Sequence, residues 1–333
     1  MFCDLFLFLN KFIGTSDKKL YFTKKLYPMN KFIKYNFTKY SKKEYNNFLT
    51  KIISQGIEGI ILNAFNENAV IEKLNYIEEI HENIDDMVYL AHDRGLSAAL
   101  EINLFSSKYL WNHKHFSPPI SSHGAEFVPA NNYYPICPNN KLSSERFVAI
   151  IEYLSNIVPD FFILNEFRFP YDWSTNTLDL QEKIPTFCYC PYCIAEFSSE
   201  VGIVVKNLDT LYDNISIWMN WRFDVMEDYF EFLMDKLTAK KSIIVQTPPL
   251  NLVDIPFSTG QVLLEYGERG AKISPMLFHK TRNRDMNWAL EVLDIFKIDI
   301  PMELIIPSIQ SDSKKDPGNI LPAYDDYDEV LIY

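Results

Sequence analysis

Eight short apolar or β-branched runs, most of them separated by amphipathic helical stretches, constrain the fold of this chain more than any other feature. Such alternation is the pattern of repeated strand-and-helix units on a parallel sheet. The runs lie at 31–37, 57–65, 96–105, 161–164, 242–247, 272–279, 303–310 and 329–333. Helices are expected at 41–55, with Ser41 as N-cap, and at 68–95, where apolar residues recur every three to four positions until Gly95. Others are expected at 144–158 and 287–297, and the stretch 208–240 is expected to contain the longest. The arrangement predicts an α/β chain, a (β/α)8 TIM barrel with long loops on its C-terminal face, the longest being 106–142. A doubly wound open sheet is the alternative, weakened by the lack of a Gly-rich phosphate turn. The expected division is an N-terminal extension at 1–28 and a barrel domain at 29–333, whose last outer helix is absent or replaced by that extension.

Of the 333 residues, 47% are hydrophobic and 23% charged, the balance of a soluble globular protein. A net charge of -12 argues against a nucleic-acid partner, because phosphate binding needs a positive surface. Residues 1–50 hold ten Lys against three acids, which reads as a solvated helix face or a basic arm. No apolar run reaches the ~20 residues needed to cross a bilayer, so no membrane partner is expected. Residues 1–14 are apolar but lack a positive leading region and a small-residue cleavage site, so no signal peptide is expected. Five cysteines are few for a secreted disulfide scaffold, and a reducing, cytoplasmic compartment is the expectation.

Four of those cysteines fit metal spacing better than pairing. Cys188, Cys190 and Cys193 form C-x-C-x-x-C, which lets three thiolates converge from one tight loop. Cys137, just before the helix that leads into the fourth strand, supplies a fourth ligand for a closed, structural Zn2+ site tethering two long loops. A disulfide or unrelated buried thiols are the competing readings, and Cys3 looks unrelated. His113, His115 and His123 in the long loop read more simply as scattered polar residues than as a second metal site.

The fourth run ends in Asn165, Glu166 and Arg168. Polar side chains at the carboxyl end of a barrel strand face the active site. A partly desolvated carboxyl there can hold a raised pKa and act as general acid, which assigns that role to Glu166, with Arg168 binding a substrate oxygen or tuning the carboxylate. The bland alternative is a rim ion pair. A second carboxylate is needed for glycoside hydrolysis, and Glu101 on the third strand and Asp312 past the seventh are the candidates, ahead of Asp172 and Asp254. Gln246, His279 and Gln310 end the fifth, sixth and seventh runs and suit sugar hydroxyls. Trp173, with Tyr109, Trp111, Phe116, Tyr133 and Tyr134, can stack on pyranose rings or merely pack the loop.

In order along the chain, Cys137-Pro138-Asn139, Asn165-Glu166, the C-x-C-x-x-C at 188–193, Phe197 and Trp218-x-x-Trp221-Arg222 resemble the zinc-bearing β-galactosidases of glycoside hydrolase family 42. The likeness spans roughly residues 130–225. It implies a clan A barrel in which the acid/base Glu falls on Glu166, the metal is zinc and the substrate a saccharide. Gly260-Gln261, 275–279 and 305–310 look more like a broader set of glycosidase-like barrels. The clan A nucleophile is a Glu at the end of the seventh strand, whereas this chain reads Pro307-Ser308-Ile309-Gln310-Ser311 there, and Glu303 sits at the strand's opening. Two functions follow as expectations: a glycoside hydrolase of unassigned sugar, or a carbohydrate-binding barrel that has lost catalysis.

Overall fold

The computed structural model describes residues 29–36, 40–65, 76–130, 132–173, 187–237, 242–311 and 322–333. Eight strands pair in parallel and in chain order: β1 Asn30–Tyr35, β2 Gly59–Asn63, β3 Ser97–Asn103, β4 Phe161–Asn165, β5 Ser242–Thr247, β6 Lys272–Leu277, β7 Ser308–Ile309 and β8 Glu329–Ile332. β8 returns to β1, with Phe32 opposite Leu331, and closes the (β/α)8 barrel.

The interior is built in layers, as the period of a strand requires. Phe32, Ile61, Ala99, Ile163, Ile244, Ile306 and Leu331 form one apolar plug. Gly59 stands opposite Phe32, and a Cβ at Gly59 would lie 2.2 Å from the Phe32 ring, so the plug has room there for no side chain. Two residues further along each chain segment the residue is polar: Lys34, Asn63, Glu101, Asn165, Gln246, Ser308 and Tyr333. A period of two therefore stacks a polar ring on the plug, at the carboxyl ends of the strands.

A second, larger apolar layer lies between the barrel wall and the helices, and includes Tyr45, Leu49, Met87, Phe147, Ile150 and Phe230. The helix α1, Lys42–Ser54, starts as its sequence predicts, with Ser41 Oγ accepting from Glu44 N. The expected helix at 68–95 is shorter. Residues 66–75 lie outside the described residues, Tyr76–Glu79 is a 3-10 turn, and the helix α2 is Ile84–Asp93. Ile80 instead makes an antiparallel bridge to Phe65. α3, Lys108–Trp111, is a single turn within the long loop, and α4, Lys141–Leu154, is capped by Asn140.

The stretch 208–240 contains the longest helix among the described residues, as expected, with a short one ahead of it. After α5, Pro191–Val201, the chain forms α6, Leu208–Asp213, and α7, Ile215–Leu237. Asn214 divides them, donating its Nδ2 back to the Thr210 carbonyl while its own carbonyl accepts from Ile217 and Trp218. α8, Asp254–Thr259, α9, Leu263–Glu268, and α10, Met286–Asp299, complete the outer layer. The seventh strand is shorter than expected. Pro301 and Pro307 cannot donate to a ladder, and Met302–Leu304 between them is a 3-10 turn that carries Glu303 outside the barrel strand.

A buried ion pair locks the end of β3. Arg146 on α4 meets Glu79 Oε2 at 2.7 Å and donates to the carbonyls of Asn103 and Leu104, while Ser107 Oγ donates to Glu79 Oε1 at 2.7 Å. No helix among the described residues is long and apolar enough to cross a membrane. Residues 1–28 lie outside the described residues.

Candidate active site and metal centre

Glu166 follows directly on β4, and its backbone turns to a φ of +52°, left-handed for a residue that is not glycine. That conformation costs roughly 1 kcal/mol and clusters at functional sites. It is held by the residues that follow β3, where Leu104 N donates to the Asn165 carbonyl and Phe105 N to that of Glu166. The strand's alternation breaks at this point, so the Glu166 side chain joins the mouth instead of the outer wall. Its carboxylate is bonded to Arg168 Nη2 and only 12% exposed. Burial pushes its pKa above the ordinary carboxyl value, Glu101 adds to that rise, and Arg168 and a hydrogen bond from Tyr133 oppose it.

Arg168 is buried, and its Nε and Nη1 have no hydrogen-bond acceptor among the described residues. Its guanidinium lies 4.9 Å from the Trp173 ring centroid, and that of Arg282 lies 4.2 Å from the same ring. Burial, reinforced by the like charge of Arg168, brings Arg282 down to about 10. Tyr133 contacts Trp173 edge-on at 6.2 Å and accepts from Tyr171 N at 3.1 Å.

Glu101 lies on the adjacent strand, beneath this cluster. Lys34 Nζ approaches its Oε2 at 2.5 Å, and Asn165 Nδ2 donates to its Oε1 at 3.0 Å. Next to it, Gln246 Nε2 donates to Tyr333 Oη at 2.7 Å and to Ser308 Oγ at 3.0 Å, and Ser308 bonds Ser274. Gln246 is thus part of the barrel's internal polar ring. Gln310 is engaged elsewhere, exchanging hydrogen bonds with Thr281 at the rim. His279 is buried after β6, and Asp254 is held by Asn251 at the start of α8. Asp312 lies outside the described residues. Of the loop aromatics, Trp111 packs on Phe116 and Tyr134 and donates to the Pro135 carbonyl, so those rings fill the loop, whereas Tyr133 and Trp173 stand at the Arg168 site.

The four cysteines come together. Cys137, Cys188, Cys190 and Cys193 are all buried, with every pair of Sγ atoms within 4.8 Å, a cluster that can hold a metal ion. Cys137 Sγ lies 3.2 Å from Cys193 Sγ and 3.5 Å from Cys190 Sγ, too far for a disulfide, and all four thiols are free. Cys190 is the N-cap of α5 and Cys193 lies in its first turn, where the helix dipole favours negative charge. Hydrogen bonds from the other thiols hold Cys190 well below the usual thiol range, while burial pushes Cys137 and Cys193 up. The clamp joins the loops that leave β3 and β4. Backbone contacts reinforce it: Ser121 bridges Phe187, and Tyr189 N donates to the Ile120 carbonyl at 2.8 Å. Among the described residues the three loop histidines are not gathered into a ligand set.

Lys34, Tyr333 and Arg282 belong to this mouth although nothing local to them in the sequence marks them as such. The signal that finds the first two is the period of two, counted upward from Phe32 and Leu331.

No protein-family model matches the chain, and no curated protein matches it. Solved structures do. The glycoside hydrolase domain of PgaB (BpsB) from Bordetella bronchiseptica matches with a TM-score of 0.66 at 10% identity, over 92% of this chain and 94% of that one. The catalytic domain of β-amylase from Paenibacillus polymyxa gives 0.57 at 8% identity, over 92% of both chains. The polyextremophilic β-galactosidase of the Antarctic haloarchaeon Halorubrum lacusprofundi gives 0.58 at 13% identity, over 92% of this chain and 52% of that one. At such identities the likeness is one of fold: this chain has the closed eight-stranded barrel of those three proteins.

Proposed function

We propose that this barrel is a glycoside hydrolase that resembles the clan A enzymes at the end of its fourth strand, with Glu166 as the proton donor to the leaving-group oxygen and Glu101 as the second carboxylate. The observation that carries this reading is the buried Glu166 carboxyl at the end of β4, whose pKa burial raises while Arg168 keeps it oriented. Glu101, one strand away, pairs with the Lys34 ammonium and accepts a hydrogen bond from the Asn165 amide. A second carboxylate near the proton donor is what glycoside hydrolysis needs. Trp173, with the guanidiniums of Arg168 and Arg282 over its ring, places an aromatic and cationic group at the mouth where a sugar would bind. Three structural neighbours named as glycosidases or their domains support the same class.

The four thiols fit zinc. A tetrahedral Zn–S4 centre with Zn–S near 2.3 Å has S–S edges of about 3.8 Å, and the sulfurs here, two pairs at 3.2 and 3.5 Å and all within 4.8 Å of one another, lie near that spacing. Cys137, Cys188, Cys190 and Cys193 would hold the ion without an open position, so its contribution is to pin the two loops over the mouth. The same cluster supports the resemblance to the zinc-bearing family 42 enzymes, and free thiols suit a cytoplasmic setting.

The second reading, a carbohydrate-binding barrel without turnover, is favoured by one observation: the end of β7 presents Ser308, and the following Gln310 bonds Thr281, where a clan A enzyme has a Glu nucleophile. A panel of saccharides and chromogenic glycosides, offered to the wild type and to Glu166→Gln, separates the two readings. Hydrolysis that depends on Glu166 supports the enzyme, and binding without hydrolysis supports the alternative.

A further inference from the structure

Arg222, on α7, is fully buried, and none of its three guanidinium nitrogens has a hydrogen-bond acceptor among the described residues. A buried cation without a partner costs several kcal/mol, so its retention requires negative charge close by. Helical geometry identifies the source. One turn earlier, Trp218 stacks at 5.7 Å on Tyr189, the residue between Cys188 and Cys190. Two turns later, Tyr229 Oη donates at 2.8 Å to the carbonyl of Pro138, the residue after Cys137. Positions 218, 222 and 229 share one helix face, which puts Arg222 against the thiol cluster between those two contacts. Burial pulls the guanidinium's pKa down, and Tyr189, Cys193, Cys188 and Cys137 are the groups that oppose this.

Arg222 also meets the segment that follows β4. Its Cζ lies 4.0 Å from the ring centroid of Phe169, the residue after Arg168. Gly260, at a φ of +77°, closes over this contact: a Cβ there would stand 2.9 Å from Phe169 Cδ2 and 3.3 Å from the Arg222 carbonyl.

We infer that Arg222 is the counter-charge of a metal–tetrathiolate centre, and that its stacking on Phe169 ties this centre to the Glu166–Arg168 segment. The inference rests on the metal reading of the four cysteines and is independent of which sugar, if any, the barrel cleaves. Without a metal, mutual repulsion keeps four buried thiols from ionising together, so the metal-free cluster holds a guanidinium only weakly. A divalent cation on four thiolates leaves a net charge of about -2, which a buried arginine partly neutralises. Arg222 is therefore a positioning residue matched to the metal-loaded state.

The test compares wild type, Arg222→Lys, Arg222→Met and Met226→Ala as full chains, with equimolar zinc and after chelation. Competition against a chromophoric chelator reads metal retention, and thermal unfolding reads stability. Arg222→Met is expected to give up zinc roughly 10- to 100-fold more readily, the usual cost of losing an outer-shell partner. Arg222→Lys, which keeps the charge, stays within a few-fold of wild type. The order of stability crosses over: with zinc the wild type unfolds at the higher temperature, and without zinc Arg222→Met does, because an unpaired buried cation has been removed. Met226→Ala, a cavity on the same helix, lowers both by a similar amount. If Arg222→Met does not accumulate, Arg222→Gln takes its place. Hydrogen exchange at 165–169 tests the tie: chelation speeds it in the wild type, and Phe169→Leu exchanges fast with or without zinc.

Equal losses in Arg222→Met with and without zinc, equal metal loss in Arg222→Lys, no zinc bound by the wild type, or exchange at 165–169 indifferent to zinc would each overturn the inference. None of these readouts involves a sugar, so failure here is distinct from failure of the glycosidase reading.

Discussion

Asn165 and Glu101 meet across β4 and β3, the amide Nδ2 donating to the carboxylate Oε1 at 3.0 Å. Glu101 is thereby held by the residue that immediately precedes Glu166, and the two carboxyls of the mouth are positioned by one strand end. Asn165→Ala leaves a buried carboxylate oxygen without its donor and is expected to cost about 1–3 kcal/mol. Chemical denaturation of the variant measures this.

The second prediction concerns pH. Burial raises the Glu166 pKa and Arg168 opposes the rise. A carboxyl whose folded pKa is raised contributes stability that is fully present below its unfolded pKa and is lost as pH rises through the folded value. Activity that needs the protonated acid is lost over the same upward range. Arg168→Met removes the opposing cation, so the alkaline limb of the pH–rate profile should move to higher pH. A limb that stayed in place or moved down would count against Glu166 as the titrating acid.

The Glu79–Arg146 pair has both side chains buried, at 5% and 0% exposure, and fixes the carbonyls at the end of β3. Removing one partner strands the other. Glu79→Gln is expected to destabilise the fold by about 3–5 kcal/mol, measured by denaturant unfolding, whereas a rim salt bridge would give under about 1 kcal/mol.

Cys137 reaches the cluster from the loop after β3, and the other three cysteines come from the end of the loop after β4 and the first turn of α5. Cys137→Ser should lower metal content below the about one divalent ion per chain expected of the wild type. It should also make the 106–136 loop more susceptible to limited proteolysis. Metal analysis and digestion patterns check both.

The barrel was legible because each strand segment carries its own evidence: an apolar residue in the plug and, two positions on, a polar one, as in Ile163 and Asn165 or Ile244 and Gln246. The convergence of four cysteines was legible from spacing. Helix limits were less so. The expected helix at 68–95 ignored the break at Asn83-Ile84-Asp85-Asp86, a helix start followed by acids in the first turn. The expected seventh strand overlooked what Pro301 and Pro307 do to a ladder. The partners of Glu101, Glu79 and Arg222 could not be read from sequence, because Lys34, Arg146 and the cysteines lie far from them along the chain and only the closed ring brings them near.

Measured turnover of a saccharide panel by the metal-loaded wild type and by Glu166→Gln addresses the central claim most directly. The account predicts that at least one glycoside is hydrolysed, and that the variant loses on the order of 10²–10⁴-fold in kcat/KM while still binding it. Undiminished hydrolysis by Glu166→Gln, or saccharide binding by the wild type with no hydrolysis at all, would contradict it.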